Sequence, residues 1–324
     1  MAQNDLQKAK RNQKDEFYTQ LCDIEKELKN YKNFFRDKTV LCNCDDPRVS
    51  NFFHYFSYSF EHLGLKKLIT TCYKNQNVDL FSRNDSERAV YLEYTGDKNG
   101  DRTPDKSEIG IKALKGDGDF RSDECIELLK QADVVVTNPP FSLFREYVAQ
   151  LIKYEKKFLI IGNINCITYK EIFSLIKENK VWLGTGMGRW ISGFIVPEQY
   201  ELYGSEARIN EQGQRIVATN NCLWLTNIEH HKRNEELELY KKYNPNEYPK
   251  YDNYDAIEVS KTNEIPVDYY GIMGVPITFL DKYNPNQFEI LNCSAYSSQE
   301  HYGSGPLYIN NNKVFARVLI RRKK

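Results

Sequence analysis

Residues 132–141, ADVVVTNPPF, join a short apolar run to a turn that contains two successive prolines. Residues 132–137 are rich in β-branched side chains, which is typical of a strand buried on both faces of a sheet. Pro139 and Pro140 then fix the backbone and remove two N–H donors. We therefore expect a central strand that ends in a rigid turn, with backbone carbonyl oxygens available as acceptors.

The chain around this strand alternates between strand-like and helix-like segments as far as residue 179. The strand-like segments are 39–44, 67–72 and 157–162, and the helix-like segments are 48–65, 122–131, 142–154 and 169–179. Residues 88–94 and 108–114 resemble a hairpin around a turn-rich stretch, GDKNGDRTPD. Strands that alternate with helices predict an α/β fold with a doubly wound, mostly parallel, Rossmann-like sheet. Ligands of such sheets bind beyond the carboxyl ends of the strands.

The pattern changes after about residue 184, where short strand-like pieces are separated by polar loops. We therefore predict two regions, with a loose boundary near residue 185: residues 1–185 and residues 186–324. The glycine-rich run at 184–188, GTGMG, resembles a cofactor loop. Too little chain lies between it and the NPPF turn for a rearranged motif order, so we interpret these glycines as a flexible border between the regions.

Asn138, Pro139, Pro140 and Phe141 form the predicted catalytic turn. The Asn138 side-chain oxygen and the Pro139 carbonyl together suit the two hydrogens of an NH2 group, and Phe141 offers a flat face to a base. An exocyclic amine in DNA lies inside the base stack, so its nucleotide must first be flipped out, at a cost of about a few kcal/mol. Transfer of a methyl group from a sulfonium then depends on positioning and electrostatics. The same type of turn also occurs in enzymes that methylate rRNA guanine amines or protein glutamine amides.

Several segments together resemble the EcoRI-type adenine-N6 DNA methyltransferase family, from about residue 15 to about residue 290. They are residues 15–20 (DEFYTQ), 42–53 (CNCDDPRVSNFF), 116–122 (GDGDFRS), 135–141 (VVTNPPF), 154–163 (YEKKFLIIGN) and 192–204 (SGFIVPEQYELYG). The resemblance implies the modification enzyme of a type II restriction system. Such an enzyme uses S-adenosyl-L-methionine and double-stranded DNA, and the candidate target site is GAATTC.

The resemblance also implies which residues hold the cofactor. They are Tyr18 and Thr19 in DEFYTQ, Cys44, Asp46 and Pro47 after the first strand, Asp117, Asp119 and Phe120 in GDGDF, and Asn138. In GDGDF a carboxylate is expected to take the adenine amino group of the cofactor while the aromatic ring covers its base. The glycines usual after the first strand are missing, and Thr70, Thr71 and Cys72 stand where the second strand usually offers an acid to the ribose.

Target recognition is predicted to lie after residue 185, together with C-terminal elements that pack on the catalytic domain. The candidates for contacts with bases or phosphates are Arg189, Trp190, Arg208, Arg215 and Asn220. The remaining partners implied are a restriction endonuclease of the same system, acting as a functional partner only, and no membrane. We expect the protein to act as a monomer.

The composition sets limits on other classes of function. Among 324 residues, 45 Lys and Arg balance 45 Asp and Glu, so no global basic field indicates nucleic acid, although a local basic cleft remains compatible with neutrality. The chain starts with a polar, charged stretch, and its eight cysteines form no CxxC pair, which favours a reduced cytoplasmic protein. The five histidines show no metal-ligand spacing with cysteines or acids, so no metal site is predicted.

Two alternatives to a DNA adenine methyltransferase stay open on the residues alone. One is an enzyme that methylates rRNA or a protein glutamine, against which the large region after the catalytic sheet argues. The other is a DNA-binding regulator built on a relict methyltransferase fold, which predicts DNA binding without turnover. The intact NPPF turn argues against that regulator.

Overall fold

The computed structural model describes residues 18–44, 50–71, 89–101, 103–105, 107–187, 191–196, 207–210, 213–218, 221–294 and 305–324. Five predicted site residues lie outside these ranges: Asp46, Pro47, Arg189, Trp190 and Asn220. The chain forms two compact units, one from Met1–Asn163 with Gly188–Ile228 and the other from Ile164–Met187 with Glu229–Lys324. The boundary near residue 185 concerns functional roles rather than packing, and it stays a prediction.

The elements within these ranges follow the predicted alternation closely. The α-helices are α1 Leu21–Leu28, α2 Asn51–Tyr58, α3 Phe60–Leu63, α4 Asp123–Gln131, α5 Phe144–Lys153 and α6 Lys170–Lys177. The strands are β1 Tyr18–Thr19, β2 Thr39–Cys42, β3 Lys67–Thr71, β4 Val90–Tyr94, β5 Gly110–Ala113, β6 Val134–Thr137, β7 Lys157–Asn163, β8 Trp182–Met187, β9 Phe194–Val196, β10 Ala207–Ile209, β11 Arg215–Val217, β12 Cys222–Thr226, β13 Ile257–Glu258, β14 Ile272–Pro276, β15 Phe288–Cys293, β16 Tyr308–Ile309, β17 Asn312–Lys313 and β18 Arg317–Arg322.

The main sheet of the first unit contains strands in the order β5-β4-β3-β2-β6-β7-β12. The central strands β3, β2, β6 and β7 are parallel, whereas the β5–β4, β4–β3 and β7–β12 pairs are antiparallel. The expectation of a mostly parallel sheet therefore holds only for its centre, and the sheet as a whole is mixed. At one edge, the predicted hairpin around residues 96–105 forms β4 and β5. Strands joined by a hairpin run antiparallel, whereas parallel neighbours need a longer crossover connection.

Strand β6 lies at the centre of this sheet and is fully buried, with Val134, Val135, Val136 and Thr137 each 0% exposed. The start of β6 is fixed by the Asp133 carboxylate, which accepts the Thr39 N–H of β2 at 2.8 Å. Because β2, β3, β6 and β7 are parallel, their carboxyl ends meet at one edge of the sheet. The NPPF turn leaves β6 at that edge.

Helices cover the sheet through aromatic-rich faces. The Ser50 hydroxyl accepts the Phe52 and Phe53 N–H groups and begins α2, and the Ser122 hydroxyl accepts the Cys125 N–H at 3.3 Å and begins α4. Phe56 of α2 is fully buried, with its ring centroid 5.3 Å from that of Phe35. No helix in the described ranges is both long and apolar enough to cross a membrane.

A smaller antiparallel sheet of the first unit has the order β1-β9-β11-β10. Its register pairs Thr19 with Phe194 and Phe194 with Val217. Gly193, just before β9, has φ +140°, and a Cβ atom there would lie 2.7 Å from the Val217 carbonyl oxygen. Only glycine therefore permits this close approach of β9 to the strand beside it.

The second unit contains a four-stranded sheet in the order β13-β14-β18-β15, together with α6 and β8. A buried ion pair links its strands, because the Arg317 guanidinium holds the Glu258 carboxylate at 2.6 Å. The interpretation of the glycine run at 184–188 as flexible backbone is wrong for its described part. Gly184 and Gly186 are buried within strand β8, where glycines permit close packing of neighbouring chain.

Replacing Phe56 with alanine tests how far the first unit depends on its aromatic core. We expect the free energy of unfolding to fall by about 3–5 kcal/mol, because a buried ring is removed and a cavity is left behind. Tyr58→Ala on the same helix is the matched control, since Tyr58 is 62% exposed and its loss should change stability by about 0.5 kcal/mol or less. Urea denaturation measures both, and equal losses would contradict this account of the core.

Candidate active site

The NPPF turn continues directly from β6 at the carboxyl edge of the sheet. Asn138 and Pro139 are buried, and Pro140 and Phe141 are half-buried. The Pro140 carbonyl accepts the Leu143 N–H at 3.0 Å and closes a 3₁₀ turn that leads into α5. Of the two proline carbonyls, that of Pro140 is therefore used within the protein.

Phe141 joins this turn to the small sheet of the same unit. Its ring centroid lies 6.3 Å from that of Phe194, with an angle of 67° between the planes. Phe194 in turn pairs with Thr19 in the register of β1 and β9. Thr19 of DEFYTQ and Phe141 of NPPF therefore both lie next to Phe194, which belongs to neither segment.

Strand β1 is held in place by side chains on both sides of it. The Asn51 amide donates to the Thr19 carbonyl at 2.7 Å, and the Gln20 amide donates to the Ser192 hydroxyl at 2.7 Å. The Asp23 carboxylate accepts the Ser192 N–H at 2.8 Å and its hydroxyl at 2.9 Å. Burial raises the pKa of Asp23, and the bonds from Ser192 counteract part of that rise. The Thr19 backbone is therefore held by α2, and the Gln20 and Asp23 side chains tie the start of α1 to the chain before β9.

A second cluster connects the end of β2 to the GDGDF segment. The Tyr147 hydroxyl of α5 donates to the Asn43 side-chain oxygen, and the Tyr147 ring meets the Phe120 ring edge-on at 5.0 Å. Gln150, also on α5, donates to the Phe120 carbonyl at 2.9 Å. Burial raises the pKa of the Tyr147 hydroxyl well above its usual range, so this group remains protonated. Cys44 is half-buried beside the cluster, with its sulfur 3.7 Å from the Asn43 oxygen.

The two acids of GDGDF differ in their environments. The Arg121 guanidinium binds both oxygens of Asp119, at 2.9 and 2.7 Å, and also contacts Glu146 at 3.1 Å. These hydrogen bonds lower the pKa of Asp119, so its carboxylate stays ionised. Asp117 is exposed and accepts the Asp119 N–H at 3.0 Å. Both therefore remain candidates for the same role.

Buried threonine hydroxyls lie at the ends of three strands near this edge. They belong to Thr19 in β1, Thr70 in β3 and Thr137 in β6, each about 1% exposed or less. Among the described residues, none of these three oxygens has a hydrogen-bond partner. Buried polar groups are nearly always hydrogen-bonded, so these oxygens are candidate contacts for a polar ligand. Thr71, by contrast, donates to the Val90 carbonyl at 3.3 Å.

The two described candidates for DNA contacts, Arg208 and Arg215, lie on opposite faces of the small sheet. Arg215 pairs with Val196, two residues beyond Phe194, so its side chain shares the face that meets the NPPF turn. Arg208 pairs with Ile216 and lies at an open groove of about 990 Å³ lined by α1, α2 and the β10–β11 hairpin. Its guanidinium donates to the Ser192 carbonyl at 3.3 Å.

Sequence reasoning missed four residues that organise this site: Asn43, Tyr147, Gln150 and Phe194. Asn43 follows β2 within the recognised CNCDDP segment, so position alone was a usable signal. Tyr147 and Gln150 lie on an amphipathic helix, where a tyrosine and a glutamine are ordinary residues. The contact of Phe194 with Phe141 depends on tertiary structure and has no local sequence signal.

Comparisons with known proteins find similarity to methyltransferases along almost the whole chain. Residues 5–323 match the family model described as adenine-specific methyltransferase EcoRI. The chain is 56% identical to the Type II methyltransferase M.EcoRI of Escherichia coli, over 98% of this chain and 96% of that protein. It is 36% identical to the Type II methyltransferase M.MgeORF184P of Mycoplasma genitalium, over 98% of both chains. It is 39% identical to the Type II methyltransferase M.MpnI of Mycoplasma pneumoniae, over 89% of this chain and 85% of that one.

No solved structure matches the chain. The family match spans both compact units and contains every predicted site residue. This protein therefore belongs to the EcoRI family of adenine-specific methyltransferases, which use S-adenosyl-L-methionine to methylate DNA.

Proposed function

We propose that this methyltransferase acts on N6 of an adenine flipped out of duplex DNA, and that Asn138–Phe141 hold that adenine. The observation that carries the proposal is the buried Asn138–Pro139 turn at the carboxyl end of the central strand. Two oxygens there, the Asn138 side-chain oxygen and the Pro139 carbonyl, suit the two hydrogens of an exocyclic amine. The Pro140 carbonyl already accepts the Leu143 N–H, so the Pro139 carbonyl is the one that we propose for this role.

Phe141 is proposed as the stacking surface for the extruded base. It is half-buried, and its edge-to-face contact with Phe194 fixes the plane of its ring. A fixed aromatic face reduces the entropy lost when a base stacks on it, and it partly compensates for the lost stacking in the duplex. The same contact ties the position of the base to strand β9.

S-adenosyl-L-methionine supplies an electrophilic methyl group on a sulfonium. The protein's part in the reaction is to aim the amine: hydrogen bonds to the Asn138 and Pro139 oxygens increase electron density on N6 and orient its lone pair. Bound S-adenosyl-L-methionine would supply the methyl group and leave as its thioether, while the Asn138 and Pro139 oxygens would hold N6 and solvent would take the proton that N6 gives up. The protein itself forms no covalent bond in this scheme.

The described residues fit the cofactor. The hydroxyls of Thr19, Thr70 and Thr137, which have no hydrogen-bond partner in the described part of the chain, offer polar contacts to it. Among the implied residues, Phe120 is held by Tyr147 for contact with the adenine ring. We propose that the cofactor is held by these described residues: Tyr18, Thr19, Cys44, Phe120, Asn138 and either Asp117 or Asp119.

The finer assignments extend the same proposal. The parallel centre of the sheet supports a Rossmann-like catalytic domain in residues 1–185. Target recognition is proposed for residues 186–324, and the grouping of Gly188–Ile228 with the first unit supports a recognition region that borders the catalytic turn. We propose GAATTC as the target, and a restriction endonuclease that cleaves this site as the functional partner. Action as a monomer remains a prediction.

Mapping modified bases tests the activity and the site together. Expression of the gene in a host without DNA methylation should place N6-methyladenine in every GAATTC of the genome, because the proposed turn accepts a flipped adenine at one defined sequence. Single-molecule sequencing provides the measurement. Methylation at a different sequence would overturn only the proposed target, whereas methyl transfer to rRNA or protein instead of DNA would overturn the substrate.

Asn138→Ala should lower the rate of methyl transfer by about 10²–10³-fold or more, since it removes an oxygen aimed at the reacting amine. Binding of S-adenosyl-L-methionine should persist, because the other proposed contacts are intact. Asn138→Asp retains an oxygen at the same place and should keep more activity than the alanine variant. Single-turnover kinetics and cofactor titration measure these effects, and full activity of Asn138→Ala would disprove the assignment.

The two arginines of the small sheet provide a matched pair for DNA contacts. Arg215→Ala should weaken DNA binding by about tenfold, within the range of about 1–3 kcal/mol for a lost base contact, because Arg215 shares the face of Phe194. Arg208→Ala removes the same charge from the opposite face and should weaken binding less. Fluorescence anisotropy at fixed salt measures both, and equal losses would indicate that only net charge matters.

A further inference from the structure

The turn between β4 and β5 carries oxygen-bearing side chains at the spacing of a calcium-binding loop. Its twelve residues, 97–108, are DKNGDRTPDKSE. Loops of this kind take ligands from positions 1, 3, 5, 7, 9 and 12, with a backbone carbonyl at position 7 and a glutamate at position 12. The residues at positions 1, 3, 5, 9 and 12 are Asp97, Asn99, Asp101, Asp105 and Glu108.

Glu108, at the twelfth position, is a buried carboxylate, 4% exposed. One of its oxygens accepts the Lys98 N–H at 2.6 Å and the Asn99 N–H at 3.2 Å, so the carboxylate points into the loop. Its other oxygen, Oε2, is buried and has no hydrogen-bond partner among the described residues. A buried charged oxygen without a partner is strongly unfavourable, and a cation would satisfy it.

Two other acids of the loop lie beside Asn99. The Asn99 amide donates to Asp101 at 3.3 Å and to Asp105 at 3.1 Å. Tyr94 is buried at the end of β4. Burial raises the pKa of Tyr94 to about 12, and the nearby acids Glu108, Asp97, Glu61 and Asp101 act in the same direction.

We propose that residues 97–108 form a binding site for Ca²⁺, separate from the methyl-transfer site. The ligands are side-chain oxygens of Asp97, Asn99, Asp101, Asp105 and Glu108, together with the Thr103 carbonyl. An all-oxygen set favours Ca²⁺ over transition metals, which prefer nitrogen and sulfur. It also favours Ca²⁺ over Mg²⁺, which requires a smaller and more regular octahedron.

The site differs from the usual motif in ways that weaken it. Arg102, outside the described residues, holds the sixth position, where the motif has glycine for a sharp turn. Strands β4 and β5 flank the loop, where the usual motif has helices. The described acids do not stand together as a ready-made cation group, so binding must draw them inward. We therefore expect a dissociation constant of about 10⁻⁴–10⁻³ M, at the weak end of such loops.

Bound Ca²⁺ would neutralise Glu108 and hold the ends of β4 and β5 together. A ligand that binds only the folded state stabilises it by mass action. At about ten times the dissociation constant, this should raise the Tm by about 2–5 °C. Because β4 pairs with β3, the stabilisation would reach one edge of the main sheet without any contact with the NPPF turn.

The test uses the full chain and three probes. Titration calorimetry with CaCl2 should give one site per chain, and MgCl2 at the same concentrations should bind at least about tenfold more weakly. Tb³⁺, which replaces Ca²⁺ in oxygen sites, should show luminescence sensitised by the nearby Tyr94. Thermal denaturation with and without CaCl2 should give the upward shift in Tm.

Two variants locate the site. Glu108→Gln keeps an oxygen for the Lys98 and Asn99 N–H groups but removes the charge, and it should weaken Ca²⁺ binding by about tenfold or more. Asp101→Asn changes an exposed residue, so it provides the same test with little risk to folding. Asp255→Asn, at a residue whose side chain is 99% exposed in the second unit, is the control and should bind as the unaltered protein does.

The proposal is overturned if the unaltered protein gives no heat, no sensitised luminescence and no shift in Tm with millimolar CaCl2. It is also overturned if Glu108→Gln and Asp101→Asn bind Ca²⁺ as tightly as Asp255→Asn does, because the ion then binds elsewhere. Loss of Ca²⁺ binding in both loop variants, with retention in the control, supports it. Neither result bears on methyl transfer, which the Asn138 variants test separately.

Discussion

The buried strand β6 and the two prolines that end it constrain the rest of the catalytic unit. Four fully buried residues leave β6 no freedom within the sheet, and Pro139 and Pro140 restrict the backbone immediately afterwards. The Asn138 side chain and the Pro139 carbonyl are thereby set at the carboxyl edge before any ligand arrives. Such pre-organisation matters for methyl transfer, because the reaction depends on aiming an amine rather than on forming a covalent intermediate.

The other parts of the site reach this edge by different routes. Helix α5 begins beyond the NPPF turn, and its Tyr147 hydrogen-bonds to Asn43 and packs against Phe120. Strand β9 comes from much later in the sequence and places Phe194 against Phe141. Hydrogen bonds from Arg121 lower the pKa of Asp119, so the Asp119 carboxylate stays ionised. Each connection is a packed ring or a short hydrogen bond, so the site depends on tertiary contacts made around a locally specified centre.

The local sequence was sufficient to predict the elements whose structure depends mainly on neighbouring residues. Residues 132–137 predicted a buried strand and Ser122 predicted the start of a helix, and both predictions are confirmed. The rigidity of the NPPF turn stays a prediction. The hairpin of β4 and β5 was predicted, but the antiparallel pairing of β4 with β3 and of β12 with β7 was not. Those pairings depend on how the chain returns to the sheet, which local sequence does not specify. The buried glycines of β8 could not be recognised, since glycine carries little strand signal. Arg208 and Arg215 lie on opposite faces because of the strand register. The register can be assigned only when it is known which strands pair, and the sequence alone does not show this.

Strand β9 pairs with β1 on one edge and with β11, which carries Arg215, on the other. Gly193 keeps it close to Val217, where any larger residue would collide with the backbone. The end of the β10–β11 hairpin is less crowded, since a Cβ atom at Gly213 would meet no other atom within 4 Å. Gly213 itself has φ +77°, so a side chain at that position would strain the turn. Under the proposed function, new sequence specificity would therefore arise more readily at other positions of this hairpin than at Gly213 or along β9.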